Sequence, residues 1–165
     1  MTAKVYKIGK FAFAALLIII LLLNLTTVYN TIVKKEQVSM VFGYGSAIIL
    51  SGSMEPAISV DDVIIIARQN SYNIGDIVTY KGNNRSVTHR IIDQVEAGFV
   101  TKGDANNAPD NPVSEDRIIG KVVARVPKAG KVLSFLQNPV GIIVLLGLLI
   151  TLDRISVLID KKLEP

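Results

Sequence analysis

Nineteen consecutive residues near the start of the chain, FAFAALLIIILLLNLTTVY from Phe11 to Tyr29, carry no charge, and Asn24, Thr26 and Thr27 are the main interruptions of their apolar character. A run of that length approaches the ~20 residues needed to cross the hydrocarbon core of a bilayer. The sequence therefore predicts a transmembrane anchor over residues 11–33, preceded by a cytoplasmic stretch, residues 1–10. Lys4, Lys7 and Lys10 stand before the run and Lys34 and Lys35 after it, so the positive-inside count favours a cytoplasmic N-terminus by a narrow margin. A removable signal peptide also begins with a basic stretch and an apolar region. Here the apolar region exceeds the usual ~7–15 residues, and TTVYNTIVKKE offers no small-x-small cleavage site, so the segment reads as a retained anchor. Half of the 165 residues are hydrophobic and the mean hydropathy is +0.43, values that suit a membrane protein.

A second apolar block starts at Pro139, runs through VGIIVLLGLLITL to Leu152 and continues as DRISVLID before Lys161 and Lys162. Its strongly apolar part is short for a span, so the second transmembrane helix, residues 139–159, needs the DRISVLID continuation, with Asp153 and Arg154 near an interface. A re-entrant or interfacial helix is the alternative. A true span returns the tail, residues 160–165, to the cytoplasm. Residues 36–138 then form an extracytoplasmic domain.

The formal net charge of +4 is accounted for by basic residues at the two ends, which leaves no basic patch for nucleic acid. Cysteine is absent and histidine occurs once. Disulfides, a thiol nucleophile and a thiolate metal site are thereby excluded, and the single histidine argues against a histidine-based metal centre. GYGSA lacks the third glycine and the following helix of a dinucleotide loop, so neither a metal nor an organic cofactor is expected.

Between the apolar ends, VFGYGSAIIL, VIIIARQ, DIVTYKG, SVTHRIIDQV, GFVTKGD and RIIGKVVARV alternate or run apolar between turn residues. Each reads as a strand. Turn signals at Glu55-Pro56, Asn73 to Asp76, Gly82-Asn83-Asn84, Ala97-Gly98 and GDANNAPDNP make a compact antiparallel β domain or small barrel the economical fold. The fold class is thus mostly β, with two flanking transmembrane helices.

SGSMEP, residues 51–56, follows the apolar run Ala47 to Leu50. Gly52 and Pro56 make it a strand end entering a turn, and on local grounds Ser51 and Ser53 need be no more than turn hydroxyls. In SVTHRII, alternation places Val87, His89 and Ile91 on one face and Thr88, Arg90 and Ile92 on the other. A lone histidine on an apolar face is more often structural than catalytic. A serine nucleophile, however, needs a base at neutral pH, and His89 is the chain's one imidazole.

SGSMEP, then GDIVTY, VTHRII and TKGDANNAPD, resembles the ordered boxes of type I signal peptidases, over residues 47 to about 125. In the common bacterial branch a lysine is the base; the corresponding position here is His89, so the resemblance is to the Ser/His branch of the endoplasmic reticulum, archaeal and SipW-like enzymes. It implies a signal peptidase/LexA-like catalytic domain and a membrane-bound serine endopeptidase that removes signal peptides from preproteins through an acyl-enzyme. It also implies extracytoplasmic or lumenal catalysis, with accessory subunits in some relatives. By motif Ser53 maps to the nucleophile, His89 to the general base, and Asp104 and Asp110 to the acidic box. Ser51 is placed at the oxyanion site. Between the acids, local turn chemistry accounts for Asp104 after Gly103 but asks less for a carboxylate at Asp110, so Asp110 is the favoured orienter and Asp104 the loop's support.

Other aspartates and asparagines, namely Asp61, Asp62, Asp76, Asn106 and Asn107, read as turn residues or strand openers. Lys81 and Lys102 abut turn glycines and lie outside the VTHRII box, which disfavours a Ser/Lys pair. The main alternative is a non-catalytic membrane-anchored β domain that binds a partner or the membrane surface. A self-cleaving Ser/Lys regulator shares the β fold but requires a lysine base and a DNA-binding segment that this chain lacks.

Overall fold

The computed structural model describes residues 2–32 and 37–163. Lys34 and Lys35, which enter the charge count, lie outside the described residues, as do the side chains of Lys4, Lys7, Lys10, Lys161 and Lys162. The chain divides into two compact units, a helical one of residues 1–29 and 134–165 and a β-rich one of residues 30–133.

In the helical unit, α1 covers Thr2–Ile32. Its polar interruptions are satisfied within the helix: Asn24 donates to the Ile20 carbonyl at 3.0 Å, Thr26 to Leu22 at 2.8 Å and Thr27 to Leu23 at 2.9 Å. Such bonds to the preceding turn let hydroxyl and amide groups sit in an apolar helix without an orphaned donor. Two further helices, α2 (Gly130–Gln137) and α3 (Pro139–Leu163), follow the β domain. Proline suits the first helical position because its missing N–H has no intrahelical partner there, and Asn138 Oδ1 caps the start of α3 by accepting the Gly141 N–H at 2.8 Å. Among the described residues no single helix is long and apolar enough to cross a membrane. Phe11–Thr27 is a shorter apolar helix, and Gly130–Gln137 with Val140–Leu152 meets the requirement only as a pair bent by 77°.

Among the described residues the β-rich unit is one antiparallel sheet of seven strands: β1 (Met40–Val41), β2 (Tyr44–Ile48), β3 (Val63–Ala67), β4 (Ile77–Lys81), β5 (Ser86–Val95), β6 (Gly98–Lys102) and β7 (Ile118–Val126). Their spatial order is β1-β2-β3-β7-β4-β5-β6. The segment read as one strand, VFGYGSAIIL, is instead a tight hairpin. Phe42 and Gly43 both have positive φ, 51° and 82°, the backbone of a two-residue turn that matches strand twist. The remaining strand segments form where the period-two pattern places them.

Two apolar clusters fill the domain. One gathers Val38, Ile49, Met54, Ile58, Ile64, Ile66 and Ile119; the other gathers Tyr72, Val78, Tyr80, Ile91, Phe99, Val113 and Ile118. Asp62 ties the loop after SGSMEP to the end of the sheet. Its Oδ2 accepts the Ser59 N–H at 2.8 Å and lies 3.3 Å from Arg125 Nε, while its Oδ1 accepts the Lys128 N–H at 3.0 Å. Asp61 occupies a turn with φ 68°. Asp76 opens β4, accepting the Asn73 N–H at 3.1 Å and pairing with Lys121 at 2.6 Å.

Candidate active site

SGSMEP leaves β2 as a single 3-10 turn over Gly52–Met54, entered from an extended Ser51 and closed by the Glu55 N–H donating to the Gly52 carbonyl at 3.1 Å. Glu55-Pro56 is cis. Met54 is 1% exposed and packs into the first cluster, and burying a side chain of that size stabilises by roughly 1.5–3 kcal/mol. The turn is therefore pinned by its third residue, while its second, Ser53, lines a cavity of about 390 Å³.

His89 reaches the same cavity from β5, where it pairs with Val78 of β4. Its Nε2 lies 3.2 Å from Ser53 Oγ, and its Nδ1 lies 2.6 Å from Asp110 Oδ2. The histidine is buried, with 7% exposure. Asp110 is held by its own backbone, whose N–H donates to the Thr101 carbonyl of β6 at 2.8 Å, and by two hydroxyls, Thr101 at 2.8 Å and Tyr80 at 3.1 Å. Burial pushes the Asp110 carboxyl up, but the bonds from His89, Thr101 and Tyr80 outweigh it and hold the group below the usual carboxylate range.

Asp104 lies elsewhere. Both of its oxygens are taken by the Arg90 guanidinium, at 2.9 Å and 2.6 Å, and Arg90 also donates to the Gly75 carbonyl at 3.0 Å. That bidentate pair, on the face of β5 opposite His89, anchors the loop after β6. The expectation that Asp104 supports the loop through neighbouring backbone N–H groups thus meets a different partner, a cation on the adjacent strand β5, where Arg90 pairs with Lys102 of β6. Ser51 Oγ lies 3.4 Å from Ser53 Oγ, a long contact. Asn106 lines the cavity as well. Lys81 and Lys102 end β4 and β6 and do not line it.

Sequence patterns single out neither Tyr80 nor Thr101 as part of the site. The available signal is their place: Tyr80 closes the GDIVTY segment diagonally across the β4–β5 pair from His89, and Thr101 opens the TKGD segment. Among the described residues, no group of histidine, cysteine, aspartate and glutamate side chains is arranged to hold a metal ion.

A hydroxyl, an imidazole and a carboxylate bonded in series are the working parts of a serine hydrolase, here carried by an antiparallel β domain. No protein-family model matches the chain. Among curated proteins it is 34% identical, over 128 residues, to the signal peptidase complex catalytic subunit SEC11 of Pyricularia oryzae, a match covering 65% of this chain and 74% of the relative. The SEC11 subunit of Metarhizium acridum is 33% identical over the same shares. Signal peptidase I W of Bacillus subtilis is 39% identical over 87 residues, 47% of this chain and 46% of that protein. The chain belongs to the signal peptidase family, and is a serine endopeptidase of that family.

Proposed function

We propose that this chain cleaves signal peptides from exported preproteins with Ser53 as nucleophile, His89 as general base and Asp110 as the orienter of the imidazole. The observation that carries the reading is the unbroken Ser53–His89–Asp110 chain of hydrogen bonds beside the cavity. Ser53 Oγ attacks the scissile carbonyl carbon as its proton passes to His89 Nε2. The imidazolium then returns that proton to the leaving amine, leaving an acyl-serine and releasing the mature chain. A water activated by His89 hydrolyses the ester and regenerates Ser53. Asp110 keeps Nδ1 protonated and stabilises the imidazolium in both halves. Backbone N–H groups of the Ser53 turn, with the Ser51 hydroxyl, serve the oxyanion, a kind of donor worth ~10²–10³ in rate.

Substrate entry is supported by two strand edges. β6 pairs with β5 only from Arg90 onward, and β1 pairs with β2 only at Tyr44 and Gly45. Ser86–Thr88 and Ala47–Ile48 thus each have one edge without a strand partner among the described residues, and both runs line the cavity. An extended substrate segment adds to such edges by main-chain hydrogen bonds, with pockets choosing among small side chains. We place the β domain on the extracytoplasmic or lumenal side, the apolar segments 11–33 and 139–159 in the bilayer, and both termini in the cytoplasm. The SEC11 relatives are named as subunits of a complex, which supports accessory subunits here too.

The test is to incubate the purified, detergent-solubilised chain with a preprotein and sequence the new N-terminus. Wild type should yield one defined cut, and Ser53→Ala and His89→Ala none, because nucleophile and base act as a unit. Ser51→Ala should keep part of the activity. Retained cleavage in Ser53→Ala would overturn the assignment, and no labelling of wild type by a serine-directed covalent probe would favour a non-catalytic binding domain.

A further inference from the structure

Three donors converge on one oxygen of the Asp110 carboxylate. Oδ2 accepts His89 Nδ1–H at 2.6 Å, the Thr101 hydroxyl at 2.8 Å and the Tyr80 hydroxyl at 3.1 Å. A carboxylate oxygen has about two lone-pair sites, so the three bonds compete for the same charge. Tyr80 and Thr101 stand 6% and 0% exposed, which leaves water little part in the competition. The Tyr80 ring also meets the His89 ring edge-on, with centroids 6.4 Å apart and planes at 67°.

We propose that Tyr80 is a positioning residue that sets, through Asp110, how tightly the protonated His89 imidazole is held during turnover. The inference rests on the reading of His89 as the base. The hydroxyl does two things at once. It fixes the carboxylate so that Oδ2 faces Nδ1, and it draws off part of the negative charge that would otherwise concentrate on the imidazolium. A base held too tightly as a cation returns its proton reluctantly to the leaving amine, so a shared carboxylate favours the second transfer. Burial first, and the Asp110 charge with it, raise the Tyr80 phenol above its ordinary value against the opposing pull of Thr101 and Arg117. The phenol therefore remains a donor throughout the working range. Ser53 meets the imidazole from the 3-10 turn, and Arg85, on the β4–β5 loop, is the other charged residue that lines the cavity. Arg90 is engaged with Asp104.

Tyr80→Phe removes the hydroxyl and keeps the ring, and Thr101→Val removes the second hydroxyl with little change of shape. Each is compared with wild type, as full chains in detergent, by the pH dependence of kcat/KM on a preprotein. In parallel, NMR follows protonation of the ring of His89, the one histidine in the chain. In both variants the acid limb of the rate profile and the NMR midpoint should move to higher pH by about half to one pH unit, a three- to tenfold gain in proton affinity. A packing role would lower the rate or the melting temperature and leave both midpoints in place. Unmoved midpoints, or midpoints displaced to lower pH, would overturn the proposal. An NMR midpoint that moves while the rate limb stays fixed would uphold Tyr80's hold on the pair and remove His89 as the catalytic base.

Discussion

The carbonyl oxygen of Ser53 accepts the backbone N–H of Ala105 at 2.9 Å. The turn that presents Ser53, the proposed nucleophile, and the loop that carries both acidic residues are thus fastened to each other by main chain, independently of the Ser53, His89 and Asp110 side chains. Gly103 lies at the contact: a Cβ added there would stand 2.6 Å from the Ser53 carbonyl oxygen and 2.8 Å from the Asn106 side chain.

Gly103→Ala should therefore move the loop off the turn. A displacement of about 1 Å at reacting groups can reduce turnover by ~10²-fold, and crowding at a packed backbone contact destabilises by about 1–3 kcal/mol. Both effects are expected together, read by steady-state kinetics and by thermal unfolding. Wild-type kinetics in this variant would show that the fastening does not position Ser53.

The two acids should separate cleanly. Asp110→Asn keeps the shape of the side chain but removes the charge facing His89, and should reduce turnover by on the order of 10³–10⁴-fold, a loss of rate far out of proportion to any fall in melting temperature. Asp104→Asn weakens a partly exposed bidentate pair with Arg90, worth at most about 1 kcal/mol. It should lower the melting temperature slightly and the rate by a smaller factor, through the loop. The reverse ranking would exchange the roles.

The strand segments were legible because they rest on local facts, alternation and the turn residues between them, whereas local pattern left Ser53 a turn hydroxyl and His89 a structural histidine, and the roles given to them came from the resemblance to signal peptidases. The hairpin within VFGYGSAIIL was not legible, because a phenylalanine at positive φ with 99% exposure contradicts the propensities by which turns are recognised. Asp104 was expected to be engaged by its own loop, whereas its partner Arg90 lies on another strand. A pairing of that kind is set by tertiary register, which alternation does not encode. The same holds for Tyr80 and Thr101, whose convergence on Asp110 depends on β4, β5 and β6 lying side by side.

Membrane topology can be tested without activity. If residues 11–33 and 139–159 both span, a reporter fused after Lys35 should be exported and one fused after Pro165 should be cytoplasmic, since basic residues flank the outer ends of both segments. An exported C-terminal reporter would reduce the second apolar block to an interfacial or re-entrant helix. A cytoplasmic reporter after Lys35 would invert the whole arrangement.

Acid stability follows from the carboxylates that the fold engages. Asp62 is held below the usual range chiefly by the Ser59 and Lys128 backbone N–H groups; at Asp76 burial pushes the carboxyl up, and Lys121 and Asn73 pull it further down. Asp110 is lowered as well. An aspartate freed by unfolding titrates near pH ~3.9, so below that value the unfolded chain binds protons before the folded one does. The contribution of each lowered carboxyl is complete above the unfolded value and is lost as pH falls through the folded one. Melting temperature should accordingly be insensitive to pH near neutrality and drop below about pH 4. Asp62→Asn should lower the melting temperature most at neutral pH, where the charge-assisted bonds to Ser59 and Lys128 are lost. The gap to wild type should then close as acid neutralises Asp62 itself. A gap that stays constant down to the acid limit would show that Asp62 acts by shape and hydrogen bonding alone, with its charge contributing nothing to the fold.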